Sequence, residues 1–209
     1  MCLTVLLRSQ FGSPSGLLGS LFVAPFLNFT NMDSIRTGIE LLQPEPEDWV
    51  LDIGFGGGYS LLVLAEKIPR GHVVGVELSR DMVDAATRFI RARRLGRRVR
   101  VGWGDVADLP FAACTFNRAF TMNTIYYWPD LRAGLREIAR VLEPGGRLAV
   151  GFHSPGSLRL VTIAWDKFRR YSPEEVAGAM RKTGFRVVKT NRQLFWGIAD
   201  EFVLIGERR

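Results

Sequence analysis

One stretch of the sequence decides the fold, and it reads Val50-Leu51-Asp52-Ile53-Gly54-Phe55-Gly56-Gly57-Gly58-Tyr59-Ser60. Residues 49–53 are apolar except for Asp52, as in a buried strand, and the apolar residues after Ser60 recur at helical spacing. Four glycines in five residues lie between the two elements, and without Cβ atoms they let a ligand approach the backbone closely. The N–H groups at the start of the helix would point at such a ligand. The stretch therefore predicts a cofactor cradle at the carboxyl end of a strand, where open α/β sheets bind their ligands.

The spacing of the glycines argues against a dinucleotide as the cofactor. The fingerprint G-x-G-x-x-G, counted from Gly54, meets Tyr59 at its sixth position, and counted from Gly56 it meets Leu61. The sequence has instead Asp52 two residues before the first glycine, an anion that would repel a pyrophosphate but suits a ligand with an ammonium group or hydroxyls. In this respect the stretch resembles the first motif of the class I S-adenosylmethionine (SAM)-dependent methyltransferases, which implies that Gly54, Phe55, Gly56 and Gly58 contact the cofactor. The alternative is that the glycines only form a tight turn between strand and helix. The motifs that follow in the sequence distinguish this structural turn from a cofactor-binding one.

A second acidic residue follows at a distance that suits a ribose. The strand predicted over residues 72–77 ends at Glu77, 19 residues after Gly58, and an acid about 20 residues beyond the glycine turn is placed to accept hydrogen bonds from ribose hydroxyls. Ser79 is predicted to cap the next helix. In the resembling family the residues just after the acid line the adenine, which makes Leu78 and Met82 candidates. Core packing is the other interpretation of Met82.

The third predicted strand, residues 99–103, leads into a loop that also resembles the family. Residues 104–111 match its G-D-x-x-x-L-P-F pattern. The resemblance implies that Asp105 accepts the exocyclic amine of adenine and that the neighbouring N–H of Val106 donates to a ring nitrogen.

The fourth predicted strand, residues 116–122, ends at Asn123, a further cofactor candidate. The prolines of the [N/D]-P-P-[Y/F] motif are missing here, which counts against methylation of DNA adenine or of glutamine. The aromatic run Tyr126-Tyr127-Trp128 follows. These rings could form a wall for a planar substrate, or they could pack under the cap.

Two residues near the ends of the fourth and fifth strands are candidates for catalysis. Residues 135–146 resemble the helix, turn and strand of the branch of the family that acts in ubiquinone and menaquinone biosynthesis. The strand predicted over residues 147–152 delivers His153 to the same sheet edge as the cofactor loops, where an imidazole with an ordinary pKa near ~6.5 can act as a general base on a phenolic or enolic hydroxyl. A structural hydrogen bond to a loop is the alternative for His153. Tyr126 is the second catalytic candidate.

Strands and helices alternate from Trp49 to about Phe152, which predicts an α/β fold with a mostly parallel sheet. The resemblance implies a Rossmann-like, doubly wound sheet of about seven strands with an antiparallel last strand and helices on both faces, and residues 185–189 and 201–206 are its last two strands. A helix is predicted to begin at Asn31 or Asp33. Residues 1–30 form an apolar segment expected to cap the active site, and residues 31–209 form the SAM-binding methyltransferase domain.

Composition limits the partners. The chain has 209 residues, 47% apolar and 23% charged, which fits one well-buried domain. Its net charge of +7 permits an anionic partner, and an arginine run lies between Arg88 and Arg100. A solvated helix end explains that run better than an RNA-binding patch, because a single aromatic residue, Phe89, lies among the arginines and does not make the interleaved pattern that single-strand stacking needs. Two cysteines without a metal-binding spacing predict no metal site and a reducing, cytoplasmic setting. No apolar run reaches the ~20 residues of a membrane span.

The motifs together predict a SAM-dependent methyltransferase that leaves S-adenosyl-L-homocysteine as its second product. The expected acceptor is an O, N or C atom of a small, largely apolar metabolite, and the enzyme is expected to work as a monomer or a homodimer. Three alternatives stay open: an RNA or protein methyltransferase, a SAM-binding partner without transferase activity, and a SAM-dependent enzyme of another reaction type, such as a cyclase.

Overall fold

A computed structural model describes residues 24–157, 169–195 and 199–209 of the chain. Its helices are α1 (Ala24–Leu42), α2 (Tyr59–Lys67), α3 (Arg80–Ala92), α4 (Leu131–Val141) and α5 (Pro173–Lys182), with a short 3-10 helix at Ile125–Tyr127. Its strands are β1 (Trp49–Ile53), β2 (His72–Glu77), β3 (Val99–Trp103), β4 (Phe116–Met122), β5 (Leu142–His153), β6 (Phe185–Phe195) and β7 (Ala199–Arg208). The predicted bounds of β1 to β4 are confirmed.

The described strands form one sheet in the order β3-β2-β1-β4-β5-β7-β6. Strand β1 pairs in parallel with both β2 and β4, whereas β7 is antiparallel to its neighbours β5 and β6. The predicted α/β sheet with an antiparallel last strand is therefore confirmed. The strand order reverses between β1 and β4, and the carboxyl ends of strands at such a point form the usual ligand crevice of this architecture.

Helices cover both faces of the sheet, as predicted. On one face α1, α2 and α3 contribute Ile39, Leu64 and Ile90 to an apolar cluster. On the other face α4 and α5 contribute Leu135 and Met180 to a second cluster. No described helix combines the length and the apolar character needed to cross a membrane.

Side-chain caps fix the starts of several helices. The Ser79 side chain accepts a hydrogen bond from the Met82 N–H at the start of α3. Ser172 and Glu175 form a reciprocal capping box at the start of α5. The predicted cap at Ser79 is confirmed.

Several predicted element boundaries are wrong. Strand β6 runs to Phe195 instead of ending at residue 189, and β7 extends two residues beyond its predicted range at each end. Helix α1 begins at Ala24, so Asn31 lies inside it, and its side chain bonds to Asn123 across the fold instead of capping a helix start. Strand β5 begins at Leu142, five residues before the predicted start. Its pairing with β4 jumps from Leu142 to Arg147, so the predicted turn is present as a four-residue bulge within the strand.

The proposed cap over residues 1–30 falls mostly outside the described residues. Residues 24–30 belong to α1, which continues across the expected boundary between cap and domain. The cap stays a prediction.

Candidate cofactor and acceptor site

The glycine turn after β1 leaves one position open to a ligand. Gly54, Gly56 and Gly58 have φ of 72°, 50° and 83°, a left-handed conformation that favours glycine. A Cβ on Gly54 would lie 2.5 Å from the Cγ2 of Thr124, so this glycine is needed for close packing against the loop after β4. A Cβ on Gly56 would meet no described atom within 4 Å. The turn is thus packed at its first glycine and open above its second.

Glu77 lies against this turn, although it is 21 residues from Gly56 in the chain. One oxygen of its carboxylate accepts the Gly56 N–H at 3.1 Å, and the other accepts the Ser79 N–H at 3.0 Å. The half-buried carboxylate therefore borders the open position. The fold brings together the two features that the sequence analysis assigned to cofactor binding.

Asp52 lies beneath the turn and is only 1% exposed. Burial raises the pKa of its carboxyl to about 7, a hydrogen bond from Ser60 opposes this, and the charge of Glu77 adds to it. The Oδ2 atom has no hydrogen-bond partner among the described residues. Buried polar atoms normally have a hydrogen-bond partner. The Oδ2 atom of Asp52, without such a partner and close in sequence to the open Gly56, is therefore suited to a cationic or hydrogen-donating ligand.

The region expected to hold adenine combines exposed and buried residues. Leu78 is 54% exposed, and its carbonyl accepts the indole N–H of Trp103 at 3.0 Å. Asp105 accepts the Ala107 N–H at 2.9 Å through one carboxylate oxygen. The side chain of Val106 is buried in the core beside Trp128, so Val106 can face a ligand only through its backbone.

Two predicted cofactor residues have core side chains. Phe55 is 5% exposed and packs over Gly75, where a Cβ would lie 2.6 Å from its ring. Met82 is 1% exposed, which agrees with core packing, the alternative interpretation. Both side chains are thus largely covered by the protein, and their predicted contact with the cofactor stays a prediction.

The aromatic run after β4 divides in the same way. Tyr126 and Trp128 are 5% exposed and belong to the core, whereas Tyr127 is 40% exposed. Packing is thus the correct interpretation for two of the three rings, and only Tyr127 could form part of a substrate wall.

Asn123 is the centre of a buried polar cluster beside the glycine turn. Its backbone has a φ of 58°, an uncommon conformation for a residue other than glycine. Its amide nitrogen donates to Asn31 and to Glu201, both at 3.1 Å, and its amide oxygen accepts the Tyr126 hydroxyl at 3.2 Å. The side chain of Asn123 is therefore engaged within the protein, and its predicted contact with the cofactor stays a prediction.

His153 and Glu201 belong to the same cluster. They are register partners on β5 and β7, with the imidazole Nε2 4.0 Å from a carboxylate oxygen, and they are 5% and 0% exposed. The backbone N–H of His153 donates to the Tyr126 hydroxyl. Burial lowers the pKa of His153, opposed by the charge of Glu201 and by a hydrogen bond with the Asp200 backbone. Burial raises the pKa of Tyr126 well above its usual value. At neutral pH the imidazole of His153 is therefore uncharged and can accept a proton, whereas the phenol of Tyr126 stays protonated.

Glu201, Gln193 and Asn31 also belong to this cluster, although the sequence did not identify them as site residues. Glu201 shares one face of β7 with Val203 and Ile205, which are fully buried. The two-residue period of a strand therefore puts this carboxylate on the side that faces the core. The Gln193 amide donates to Glu201 at 2.7 Å across the hairpin. The polar partners could not be found in this way, because they come from distant elements.

Comparison with known proteins gives a consistent match. Residues 50–146 match a family described as a methyltransferase domain. The chain is 27% identical to the demethylmenaquinone methyltransferase of Lactobacillus johnsonii over 63% of this chain and 54% of that protein. It is 30% identical to the O-methyltransferase resE of Aspergillus sclerotiorum over 67% of this chain and 55% of that protein. The chain thus spans about half the length of these curated relatives.

Among solved structures, the fold is similar to the geranyl diphosphate C-methyltransferase of Streptomyces coelicolor A3(2), crystallised with Mg²⁺, geranyl diphosphate and S-adenosyl-L-homocysteine. The TM-score is 0.77 with 18% identity, over 97% of this chain and 88% of that chain. At this identity the likeness concerns the fold alone.

Proposed function

We propose that this chain, which belongs to the class I SAM-dependent methyltransferases in the branch similar to the ubiquinone and menaquinone methyltransferases, transfers a methyl group from SAM to a small organic metabolite. The observation that carries the proposal is the arrangement of Asp52, Gly56 and Glu77. A buried acid with an oxygen left over, an open glycine and a second acid lie together at the carboxyl ends of β1 and β2. The class of protein implies SAM, and these residues fit it.

Each part of SAM has residues that suit its chemistry. Asp52 would face the ammonium group, and Glu77 would accept hydrogen bonds from the ribose hydroxyls. Gly54, Gly56 and Gly58 let the ligand approach the backbone. Asp105, the backbone of Val106 and the exposed Leu78 would hold the adenine. The same residues would hold S-adenosyl-L-homocysteine as the product.

The protein's part in the reaction is mainly positioning. SAM supplies a methyl group on a positively charged sulfur, which is already a good electrophile. Proximity and alignment of the acceptor can then provide much of the rate enhancement. A base is needed only where the acceptor atom carries a proton, and His153 is our candidate for that role, with Tyr126 fixing its backbone.

The acceptor is proposed to be a small, largely apolar metabolite, methylated at O, N or C. In support, the relatives include proteins named as a demethylmenaquinone methyltransferase and an O-methyltransferase, and Tyr127 offers an exposed aromatic ring near the glycine turn. The monomer or homodimer and the cytoplasmic location belong to the same proposal. Light scattering of the purified protein tests the oligomeric state.

The arginine run gives little support to the RNA alternative. Arg98 donates to the carbonyls of Ala65 and Ile68 at the end of α2, both at 3.0 Å. Arg93 lies over the ring of Phe89 at 3.8 Å. Part of the run is therefore used within the fold.

Calorimetric titration tests the cofactor assignment. The wild type should bind SAM but not NADH, and Asp52→Ala and Glu77→Ala should weaken SAM binding at least tenfold without unfolding the protein. Glu66→Ala, an exposed change on α2, is the matched control and should bind as the wild type does. Unchanged affinity for SAM in both site variants would overturn the site assignment, and binding of NADH alone would overturn the cofactor assignment.

A screen of phenols, quinols and amines for methylated products, read by mass spectrometry, then separates a transferase from a SAM-binding partner or an enzyme of another reaction type.

A further inference from the structure

We propose that Glu201 is a positioning residue of the acceptor site, and that by orienting Asn123 and His153 it makes the site one for a hydroxyl acceptor. The inference rests on the proposed function and deepens it, because it selects phenols and enols from the O, N and C acceptors considered above. It also adds to the site a residue that none of the cofactor motifs contains.

The geometry centres on one carboxylate. Glu201 pairs in register with His153 on β5 and with Gln193 on β6, so the three residues form a row across adjacent strands. One carboxylate oxygen accepts the Gln193 amide at 2.7 Å. The other accepts the Asn123 amide at 3.1 Å and lies 4.0 Å from the imidazole Nε2. Each oxygen of Glu201 thus has a neutral donor, which fixes the side chain without removing its charge.

Among the described residues, His153 is the group that can neutralise the charge of Glu201. Within the described part of the chain no arginine or lysine forms an ion pair with Glu201, and His153 is the cation it can meet once the imidazole is protonated. Burying an ionised carboxylate without a counter-ion costs several kcal/mol. The apolar neighbours Val203 and Ile205 on the same side of β7 show that this face does not need an acid for packing. The acid is therefore best explained by what it does to its neighbours.

The location links the row to methyl transfer. Asn123 directly follows strand β4 and His153 ends strand β5, at the same sheet edge as the glycine turn after β1. The backbone of Asn123 is in a left-handed conformation, held there by the hydrogen bonds of its amide to Asn31, Glu201 and Tyr126. Uncommon backbone conformations that are held by the surrounding structure are typical of active sites.

The proposed step is the transfer of the methyl group of SAM to a hydroxyl oxygen of the acceptor. The acceptor oxygen forms its bond to the methyl carbon while the bond from that carbon to sulfur breaks, and the electron pair of the broken bond stays on sulfur. The proton of the hydroxyl passes to the imidazole of His153. The imidazolium then faces the Glu201 carboxylate at the 4.0 Å separation seen in the structure, where opposite charges attract strongly because little water lies between them. An amine or carbon nucleophile that carries no proton to be removed would not need this pair.

The charge on His153 gives a direct test, because the chain has only two histidines. Among the described residues, the groups that face His153 include Glu201 and the Asp200 backbone from β7 and the Tyr126 hydroxyl from the 3-10 helix. NMR titration of the imidazole C–H signals, assigned with His72→Gln, gives the pKa of each histidine. We expect Glu201→Gln to lower the pKa of His153 by about 1 pH unit, since an adjacent opposite charge favours the protonated form. His72 should not change, and the control Glu207→Gln, which removes a partly exposed acid from the far end of the same strand, should leave both values as in the wild type.

Two further measurements decide the remaining points. If Glu201→Gln does not fold, Glu201→Asp is the second variant. It keeps the negative charge but moves it away from His153, because the side chain is shorter by one methylene group, so a smaller fall in the pKa of His153 is expected. An unchanged pKa of His153 in the folded variant overturns the proposal. For the acceptor, wild type with SAM should methylate members of a panel of phenols and quinols, and Glu201→Gln should lower kcat at least tenfold while the Kd for SAM stays within about twofold.

The outcomes separate this inference from the function on which it rests. A wild type that methylates amines but no phenol or quinol overturns the hydroxyl acceptor and leaves the methyltransferase proposal intact. A wild type that does not bind SAM overturns the proposed function, whereas the NMR titration still shows whether Glu201 controls His153.

Discussion

Replacing Asp52 with asparagine should remove a pH-dependent loss of stability from the protein without its ligand. Burial raises the pKa of Asp52 from 3.8 to about 7, with Ser60 opposing and Glu77 adding to the effect. Between these two values the folded protein holds a proton here that the unfolded chain has released. The free energy of unfolding therefore falls as the pH rises through this range, because the folded state is the one that binds more protons.

The size of the effect follows from the two pKa values. From pH 5 to pH 8 they correspond to a loss of about 2–3 kcal/mol from this one carboxyl group. Asparagine has the same shape and does not ionise, so Asp52→Asn should lose about 2–3 kcal/mol less than the wild type over that range. Urea denaturation at the two pH values measures the difference, and the exposed Asp84→Asn is the control. An equal loss in all three proteins would show that Asp52 ionises freely in the folded state and would refute the argument.

The ligand should reverse the sign of this effect. An ammonium group at the unpaired Oδ2 of Asp52 would favour the ionised carboxyl, so the wild type should release a proton when it binds SAM and should bind it more tightly at pH 8 than at pH 5. Calorimetry in two buffers of different ionisation enthalpy measures the proton. In Asp52→Asn the affinity should be weaker and nearly independent of pH. A wild-type affinity that stays constant from pH 5 to pH 8 contradicts the placement of the ammonium group.

Other variants test the turn and the arginine run. Gly54→Ala should lower the free energy of unfolding by roughly 2 kcal/mol or more, since its φ of 72° disfavours alanine and its Cβ would lie 2.5 Å from Thr124; Gly178→Ala in α5, where a Cβ has open space, should not destabilise, and equal effects of the two would show that the turn is not tightly packed. Arg98→Ala should cost about 1–3 kcal/mol because two helix-end carbonyls lose a charged donor. Arg97→Ala, an exposed neighbour, should be neutral, and a matching loss there would indicate a general charge effect. Thermal and urea denaturation measure both pairs.

The parts of the fold that were predictable are those whose signal is local. Strands β1 to β4 are short apolar runs between turns, and their predicted bounds agree with the structure. The glycine turn and the acid at Glu77 were identified because their spacing along the chain is fixed by one strand, one helix and the next strand. The predicted cap at Ser79 depends on an N–H group three residues away. In each case the residues that determine the structure lie within one or two elements.

The parts that escaped prediction depend on contacts between distant elements. Asn31 carries a good capping side chain, but a bond to Asn123 holds it inside α1, so a tertiary contact replaces the local one. The proline and glycines after Glu143 do form an irregular segment, yet β5 resumes its pairing on both sides of it because β4 offers a continuous partner. The polar cluster draws on α1, the loop after β4, the 3-10 helix, β5, β6 and β7. Neither composition nor period brings those segments to one place.

The two buried acids of the site illustrate how hydrogen bonding separates their roles. Asp52 and Glu201 are both almost fully buried, at 1% and 0% exposed, so burial alone does not distinguish them. One oxygen of Asp52 has no partner among the described residues, whereas both oxygens of Glu201 accept amide hydrogens. An acid with a free oxygen can still gain from an incoming ligand, and an acid whose oxygens are both satisfied acts on the groups that it holds. This difference supports the two proposals, that Asp52 binds the cofactor and that Glu201 acts on His153, and the calorimetric and NMR titrations test them independently.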